Sequence, residues 1–220
     1  MINFEKEVAG IEGWLSKKEG EFLYEVARKV KKEQAIVEIG SWKGRSTVCL
    51  GLGAKDGEGA LVYAIDPHTG SFEHRQLGAV DTYNEFIHNV DNSGLSGQVI
   101  PVRETSEKAA GVFEKPVGFV LVDGAHELDY VKLDYEKWFP KLCLGGLMAF
   151  HDSWHWPGVH LFTAQILLGS VELRNPRLVG SLTVVEKTGK NTLADRFWNV
   201  FFVLFRFFVG WATSLRIFST

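Results

Sequence analysis

The sequence predicts an α/β protein built on a doubly wound, mostly parallel sheet, followed by a hydrophobic C-terminal helix. Three observations predict it. Short, nearly continuous apolar runs recur along the chain, as a sheet buried on both faces requires. Helical stretches alternate with them in βαβ order. Four of the five clearest runs close on an acid, at the strand ends where such sheets hold ligands.

Taken in order, KKEGEFLYEVARKV (17–30) is a helix that leads into the first strand, AIVEIG (35–40). RSTVCLGLGA (45–54) follows as a helix, then the strand LVYAID (61–66). DTYNEFIHNV (81–90) is helical and precedes QVIPV (98–102), the third strand. VGFVLVD (117–123) is the fourth, and LDYVKLDYEKWFPKL (128–142) is the helix before the fifth, GLMAFHD (146–152). RLVGSLTVVEK (177–187) adds one or two strands at an edge.

Composition bounds the classes. At 220 residues, 45% hydrophobic and 23% charged, the chain fits one main domain, 1–190, with a C-terminal helix over 191–220. The net charge of −3, with both signs interspersed, gives no stripe for nucleic acid, so a small-molecule partner is expected. Cys49 and Cys143 lie in apolar runs and read as reduced core thiols, which favours the cytoplasm. MINFEKEVAG lacks the basic and apolar pattern of a secretory signal.

The residues that close the strands carry the chemistry: Glu38, Asp66, Asp123, His151 and Asp152. In EIGSWKGRST, Gly40 and Gly44 permit a tight turn, and the helix opening near Arg45 presents free N–H groups. The loop lacks a Gly-Lys-Ser/Thr ending, and its G-x-x-x-G spacing differs from the dinucleotide fingerprint. Asp66, ending the next strand, stands where a carboxylate accepts hydrogen bonds from ribose hydroxyls, so a nucleoside-containing ligand is expected. An NAD-dependent oxidoreductase could use the same sheet, but the glycine spacing speaks against it.

The order EIGSWKGRST, YAIDPHTG, FIHNV, ETSEKAA, LVDGAHELDYVKLDYEKW and LCLGGLMAFHDSWHWPGV resembles class I S-adenosylmethionine (SAM) dependent methyltransferases. More narrowly, it resembles small-molecule O-methyltransferases that modify sugars and macrolide glycosides. The resemblance implies a Rossmann-like, seven-stranded sheet whose last strand is antiparallel. It implies that Glu38, Gly40, Ser41 and Gly44 hold the methionine part of SAM, that Asp66 binds its ribose, and that Ser106 lies beside its adenine.

Methyl transfer to oxygen needs alignment and removal of a proton from a weakly nucleophilic hydroxyl, by a base, a divalent metal, or both. Asp123 and Asp152 end neighbouring strands of this topology and make a candidate pair of hard ligands for Mg²⁺ or Mn²⁺. In the resembling enzymes the corresponding acids hold a divalent ion, and a histidine placed like His126 is a proposed base. His151 is a further candidate ligand, although imidazole suits Mg²⁺ poorly. His155 pairs with His151 at a spacing of four, but Pro157 interrupts the helix that a zinc site would need. Trp154 and Trp156 are candidate walls for a sugar ring, and His74 and Arg75 candidate substrate contacts in a long loop.

The tail 191–220 falls outside the resemblance. As a helix it gathers Asp195, Arg196, Asn199, Arg206, Thr213 and Ser214 on one side and apolar residues over the rest. A central Arg206 disfavours spanning a membrane, at a cost of about 2.5–3.5 kcal/mol. The expectation is a helix of residues 193–218 lying in a membrane surface, at the inner face, with Arg196, Arg206 and Arg216 reaching for headgroups, or one buried against a second subunit. A non-catalytic, membrane-tethered binding protein is the remaining alternative, and the joint presence of Asp123, His126 and Asp152 argues against it.

Overall fold

The computed structural model describes residues 3–71, 78–154 and 156–217, with side chains through Phe208. His74, Arg75 and His155, singled out above, lie outside what it describes, as does the side chain of Arg216.

The apolar runs become β1 (Ala35–Ile39), β2 (Val62–Ile65), β3 (Val99–Val102), β4 (Val117–Val122) and β5 (Leu142–Phe150), and the edge segment becomes two strands, β6 (Leu173–Val179) and β7 (Leu182–Lys187). They form one seven-stranded sheet in the order β3-β2-β1-β4-β5-β7-β6. The first five are parallel, and β7 is antiparallel to both β5 and β6. β1 is buried at all five positions, which is why its pattern reads as apolar throughout rather than alternating.

The helices are α1 (Phe4–Val8), α2 (Lys17–Ala27), α3 (Arg45–Asp56), α4 (Tyr83–Asn92), α5 (Ser106–Val112), α6 (Leu128–Trp138), α7 (Pro157–Gly169) and α8 (Leu193–Ile217). One core lies between the sheet and α1 to α4, around Leu23, Ile36, Leu50, Val62, Phe86 and Leu121. The other lies under α5 to α8, around Val37, Val120, Trp138, Met148, Phe162 and Phe202. Cys49 is in the core, while Cys143 is only half-buried.

α8 reverses the expected orientation. Two of its polar residues face inward while Arg196 stays exposed: Asn199 and Arg206 are each 1% exposed and share a buried strip with Phe202 and Val203. Asn199 Nδ2 donates to the Leu173 carbonyl of β6 at 2.9 Å, and Arg206 bonds to acceptors in and before α7. The spacing 199, 202, 203, 206 is one helical face, so the side that carries hydrogen-bonding groups is the side the protein needs. Phe197, Phe201, Leu204, Phe205 and Phe208 are left exposed. Arg206 therefore does not reach for headgroups. No helix among the described residues is long and apolar enough to cross a membrane.

Candidate active site

The carboxyl ends of β1, β2, β4 and β5 open into a cleft of about 510 Å³, within the range of small-molecule sites. Gly40, Ser41, Asp66, Ser106, Asp123, His126, His151 and Asp152 all line it; Glu38 and Gly44 lie behind its wall.

The loop after β1 is shaped by its glycines. Gly40 has φ +83 and Gly44 has φ +91, the left-handed region that glycine enters without strain. A Cβ on Gly40 would stand 2.2 Å from the Asp123 carbonyl oxygen, so the crowding comes from the neighbouring strand end. Asp66 pins the loop to β2: its Oδ2 accepts from the Ser41 and Trp42 N–H groups, each at 2.9 Å, and its Oδ1 from His68 N–H at 2.6 Å. Asp66 thus meets the cleft with both oxygens already holding backbone. Ser41 Oγ is buried there with no partner among the described residues, an orphan that a polar ligand would satisfy.

Glu38 is fully buried beneath the first turn of α3, where Thr47 Oγ1 donates to its Oε2 at 2.5 Å. Burial pushes its carboxyl up to about 8 against the pull of hydrogen bonds from Ser46 and Thr47, with Asp123 and Asp66 adding to the rise. The rise favours the protonated carboxyl, whose hydrogen-bond partners belong to the first turn of α3. Ser106 accepts from Trp138 Nε1 at 2.8 Å and hydrogen-bonds Asp134, a buried acid in the cleft wall that burial raises to about 6. Two tryptophans not expected from the sequence, Trp14 and Trp42, also line the cleft, their ring centroids 6.2 Å apart.

The charged centre forms where β4 and β5 end side by side. Asp123 N–H donates to the Ile39 carbonyl at 2.8 Å and His151 N–H to that of Val122 at 3.0 Å, extending the ladder into the site. Asp123, His126 and Asp152 bring one ligand atom each to within 4.8 Å of one another. Asp152 holds φ +52, a left-handed turn that aspartate adopts at some cost. His126 Nε2 lies 3.5 Å from Asp152 Oδ2, and its ring stacks on Trp156 with centroids 4.4 Å apart at 10°. Gly158, at the start of α7, lets that helix close over this turn: a Cβ there would meet the His126 carbonyl oxygen at 2.3 Å.

His151 sits behind this group, 4% exposed. Its Nδ1 is 3.0 Å from Asp123 Oδ1 and 3.4 Å from Asp152 Oδ2, and its Nε2 is 3.8 Å from Glu19 Oε2. These are charge contacts rather than aligned hydrogen bonds. Burial alone would lower its pKa, but Asp123 above all, with Asp152 and Glu19, holds the imidazole charged well beyond its usual range. His151, expected as a further metal ligand, thus lies behind the place where ligand atoms of Asp123, His126 and Asp152 converge. Asp152 is correspondingly held far below the usual carboxylate range by His126 and His151, despite its burial.

Glu19 was not expected from the sequence. It completes a capping box with Ser16 at the start of α2 and accepts from Ser181 N–H at 2.5 Å and Ser181 Oγ at 2.8 Å. Burial raises it, but the nearby His151 and hydrogen bonds from Ser16 and Ser181 outweigh that and leave it at about 2. The signal S-K-K-E before an apolar run is visible in the sequence, yet it reads as a helix start alone.

Comparisons with known proteins agree with this geometry. Residues 37–153 match a family model described as a methyltransferase domain. The protein y4gI of Sinorhizobium fredii (strain NBRC 101917 / NGR234) is 30% identical over 125 residues, 56% of this chain; the chain spans only 13% of that protein's length. Among solved structures, the O-methyltransferase NovP superposes with a TM-score of 0.65 at 15% identity, covering 78% of this chain and 80% of NovP. The O-methyltransferase TomG from Streptomyces achromogenes, involved in tomaymycin synthesis and solved with SAM, gives 0.58 at 16%, covering 84% and 86%. The SAH-bound methyltransferase PaMTH1 of Podospora anserina gives 0.61 at 16%, covering 80% of each chain. At these identities the superpositions establish the fold.

Proposed function

The chain belongs to the methyltransferase-domain family of class I SAM-dependent enzymes, and from that premise we propose that it methylates a hydroxyl oxygen of a sugar, glycoside or related small molecule with the help of a divalent cation. The observation that carries the reading is the meeting of Asp123, His126 and Asp152 at the mouth of the cleft.

SAM, when bound, supplies an electrophilic methyl group on a sulfonium. The chain's residues fit it: the glycine loop, the orphan Ser41 hydroxyl and the wall at Ser106 and Asp134 line one cleft. Two carboxylates and an imidazole also fit a cation that takes oxygen and nitrogen ligands, and such an ion would lower the pKa of an acceptor hydroxyl. Asp123 and Asp152 would hold it, with His126 completing the set or taking the acceptor's proton. His126 is suited to the proton because Asp152 and the Trp156 stack fix its ring. The acids that line the cleft, Asp66, Asp123, Asp134 and Asp152, disfavour a phosphodiester chain as acceptor. Trp14 and Trp42 suit the face of a sugar ring.

Finally, we propose that the outward face of α8 rests on a lipid surface. Phe197 is 73% exposed, and Leu204 and Phe208 63% each, on a helix whose one polar strip is already used inside.

Calorimetry with S-adenosylhomocysteine, then with Mn²⁺, tests the reading in steps. No nucleoside binding would remove the cofactor assignment; nucleoside binding without Mn²⁺ binding would remove only the cation. Consumption of SAM with simple glycosides but not with catechols is the expected acceptor result.

A further inference from the structure

The left-handed turn at Asp152 is gripped from two sides. On one, the β6–β7 hairpin holds it: Ser153 N–H donates to the Ser181 carbonyl at 3.1 Å and Ser153 Oγ to the same oxygen at 2.7 Å. On the other stands Arg206 of α8. Its Nη2 donates to the Ser153 carbonyl at 2.6 Å and to His160 Nδ1 at 2.8 Å, and its Nη1 donates to Thr163 Oγ1 at 2.9 Å.

The chemistry of these acceptors requires an arginine. His160 Nδ1 also lies 3.1 Å from the Ser153 carbonyl. Because Arg206 donates to that nitrogen, Nδ1 is an acceptor and the neutral ring carries its proton on Nε2; burial and the nearby guanidinium lower the pKa of His160 in agreement. Two acceptors therefore face one another, and a single planar NH₂ group satisfies both. Lysine could not reproduce that fork. The guanidinium joins no ion pair among the described residues, and a buried cation without a carboxylate is costly to keep. An apolar side chain would fill the same space at less cost, so packing alone gives no reason for it.

We propose that Arg206 is a positioning residue of the active site: from the C-terminal helix it fixes the Ser153 carbonyl, and thereby the turn that aims Asp152 at Asp123 and His126. The helix lies beyond residues 37–153, the region that matches the family, so the chain sets part of its catalytic geometry with a segment of its own. The kinetic part of this inference rests on the methyltransferase reading above.

The test uses full-length Arg206→Met, Arg206→Lys and Thr163→Val, with hydrogen exchange over 151–154, Mn²⁺ affinity, kcat and KM measured for each. Arg206→Met should speed exchange at 151–154, weaken Mn²⁺ binding and lower kcat by roughly tenfold or more, the effect of losing an outer support of a ligand, with S-adenosylhomocysteine affinity unchanged. Arg206→Lys should recover part of the loss. Thr163→Val, which keeps volume and leaves Arg206 short of one acceptor, should shift all three readouts in the same direction by less; it stands in if Arg206→Met does not fold. Wild-type kcat and Mn²⁺ affinity in a folded Arg206→Met or Thr163→Val protein would overturn the proposal, whatever the exchange shows. If the wild-type chain binds no Mn²⁺ and transfers no methyl group, the functional reading fails, and exchange over 151–154 alone decides: no change there overturns the positioning role as well.

Discussion

His151 Nδ1 lies 3.0 Å from Asp123 Oδ1 with Asp152 and Glu19 also around the ring, so one buried imidazolium holds three carboxylates together. Each acid alone would resist burial as an anion, and the histidine alone would resist burial as a cation. Together they are stable, and each depends on the others.

Replacing His151 by Asn should therefore leave three carboxylates facing one another. A loss of about 3–5 kcal/mol in unfolding free energy is expected, the range for breaking a buried charge group. Mn²⁺ should restore more stability to this variant than to the wild type, as thermal unfolding with and without the ion would show.

The same group sets a pH window. His151 is raised in the fold, so its contribution is complete below the unfolded value of 6.5 and declines as pH rises above it. Glu19 is lowered to about 2, so its contribution is complete above 4.5 and is lost as pH falls through the folded value. The metal-free chain should be most stable between about pH 4.5 and 6.5, and urea midpoints across pH 3–9 would show the maximum.

Glu38 acts in the opposite sense to Glu19. Its folded pKa of about 8 lies above its unfolded 4.5, so its ionisation costs stability progressively between those values. Glu38→Gln keeps a hydrogen-bonding neutral group, and its advantage over the wild type should grow as pH rises from 5 to 9. Denaturant midpoints that stay parallel across that range would contradict the buried, protonated assignment.

Asp66→Asn replaces one carboxylate oxygen by an NH₂ group among three backbone donors. The loop should loosen at a cost of about 1–3 kcal/mol, and S-adenosylhomocysteine should bind at least tenfold more weakly. His126→Ala should do the reverse, lowering turnover by roughly 10²–10⁴ with cofactor affinity unchanged.

Much of the scaffold was legible in the sequence because a sheet buried on both faces leaves continuous apolar runs, and the strand-end acids mark where it opens. Asp123 and Asp152 could be placed together for that reason, whereas His126 entered only through the resemblance to O-methyltransferases. Glu19 was not: its role depends on Ser181, 162 positions away, and no local pattern carries that. The inward turn of Asn199 and Arg206 was not legible in the tail, since an amphipathic pattern does not say whether a polar residue meets water or buried carbonyls. Trp14 and Trp42 could be placed in the cleft only once the β1 loop and the segment before α2 had come together.

If the exposed face of α8 rests on lipid, Phe201→Glu with Phe208→Glu should abolish flotation of the full chain with anionic liposomes while leaving S-adenosylhomocysteine binding intact. Equal flotation would favour a second subunit as the cover, which sedimentation would then reveal.

The bond from Ser181 to Glu19 also orders events in time. While the chain is being made, α2 and the first four strands can assemble with Glu19 still lacking its late partner, and a nascent chain that stops short of residue 181 has no hairpin to hold Glu19 against His151. The charged centre therefore cannot be complete before residue 181 has been made, whereas the loop after β1 and its anchor Asp66 come from the first third of the chain.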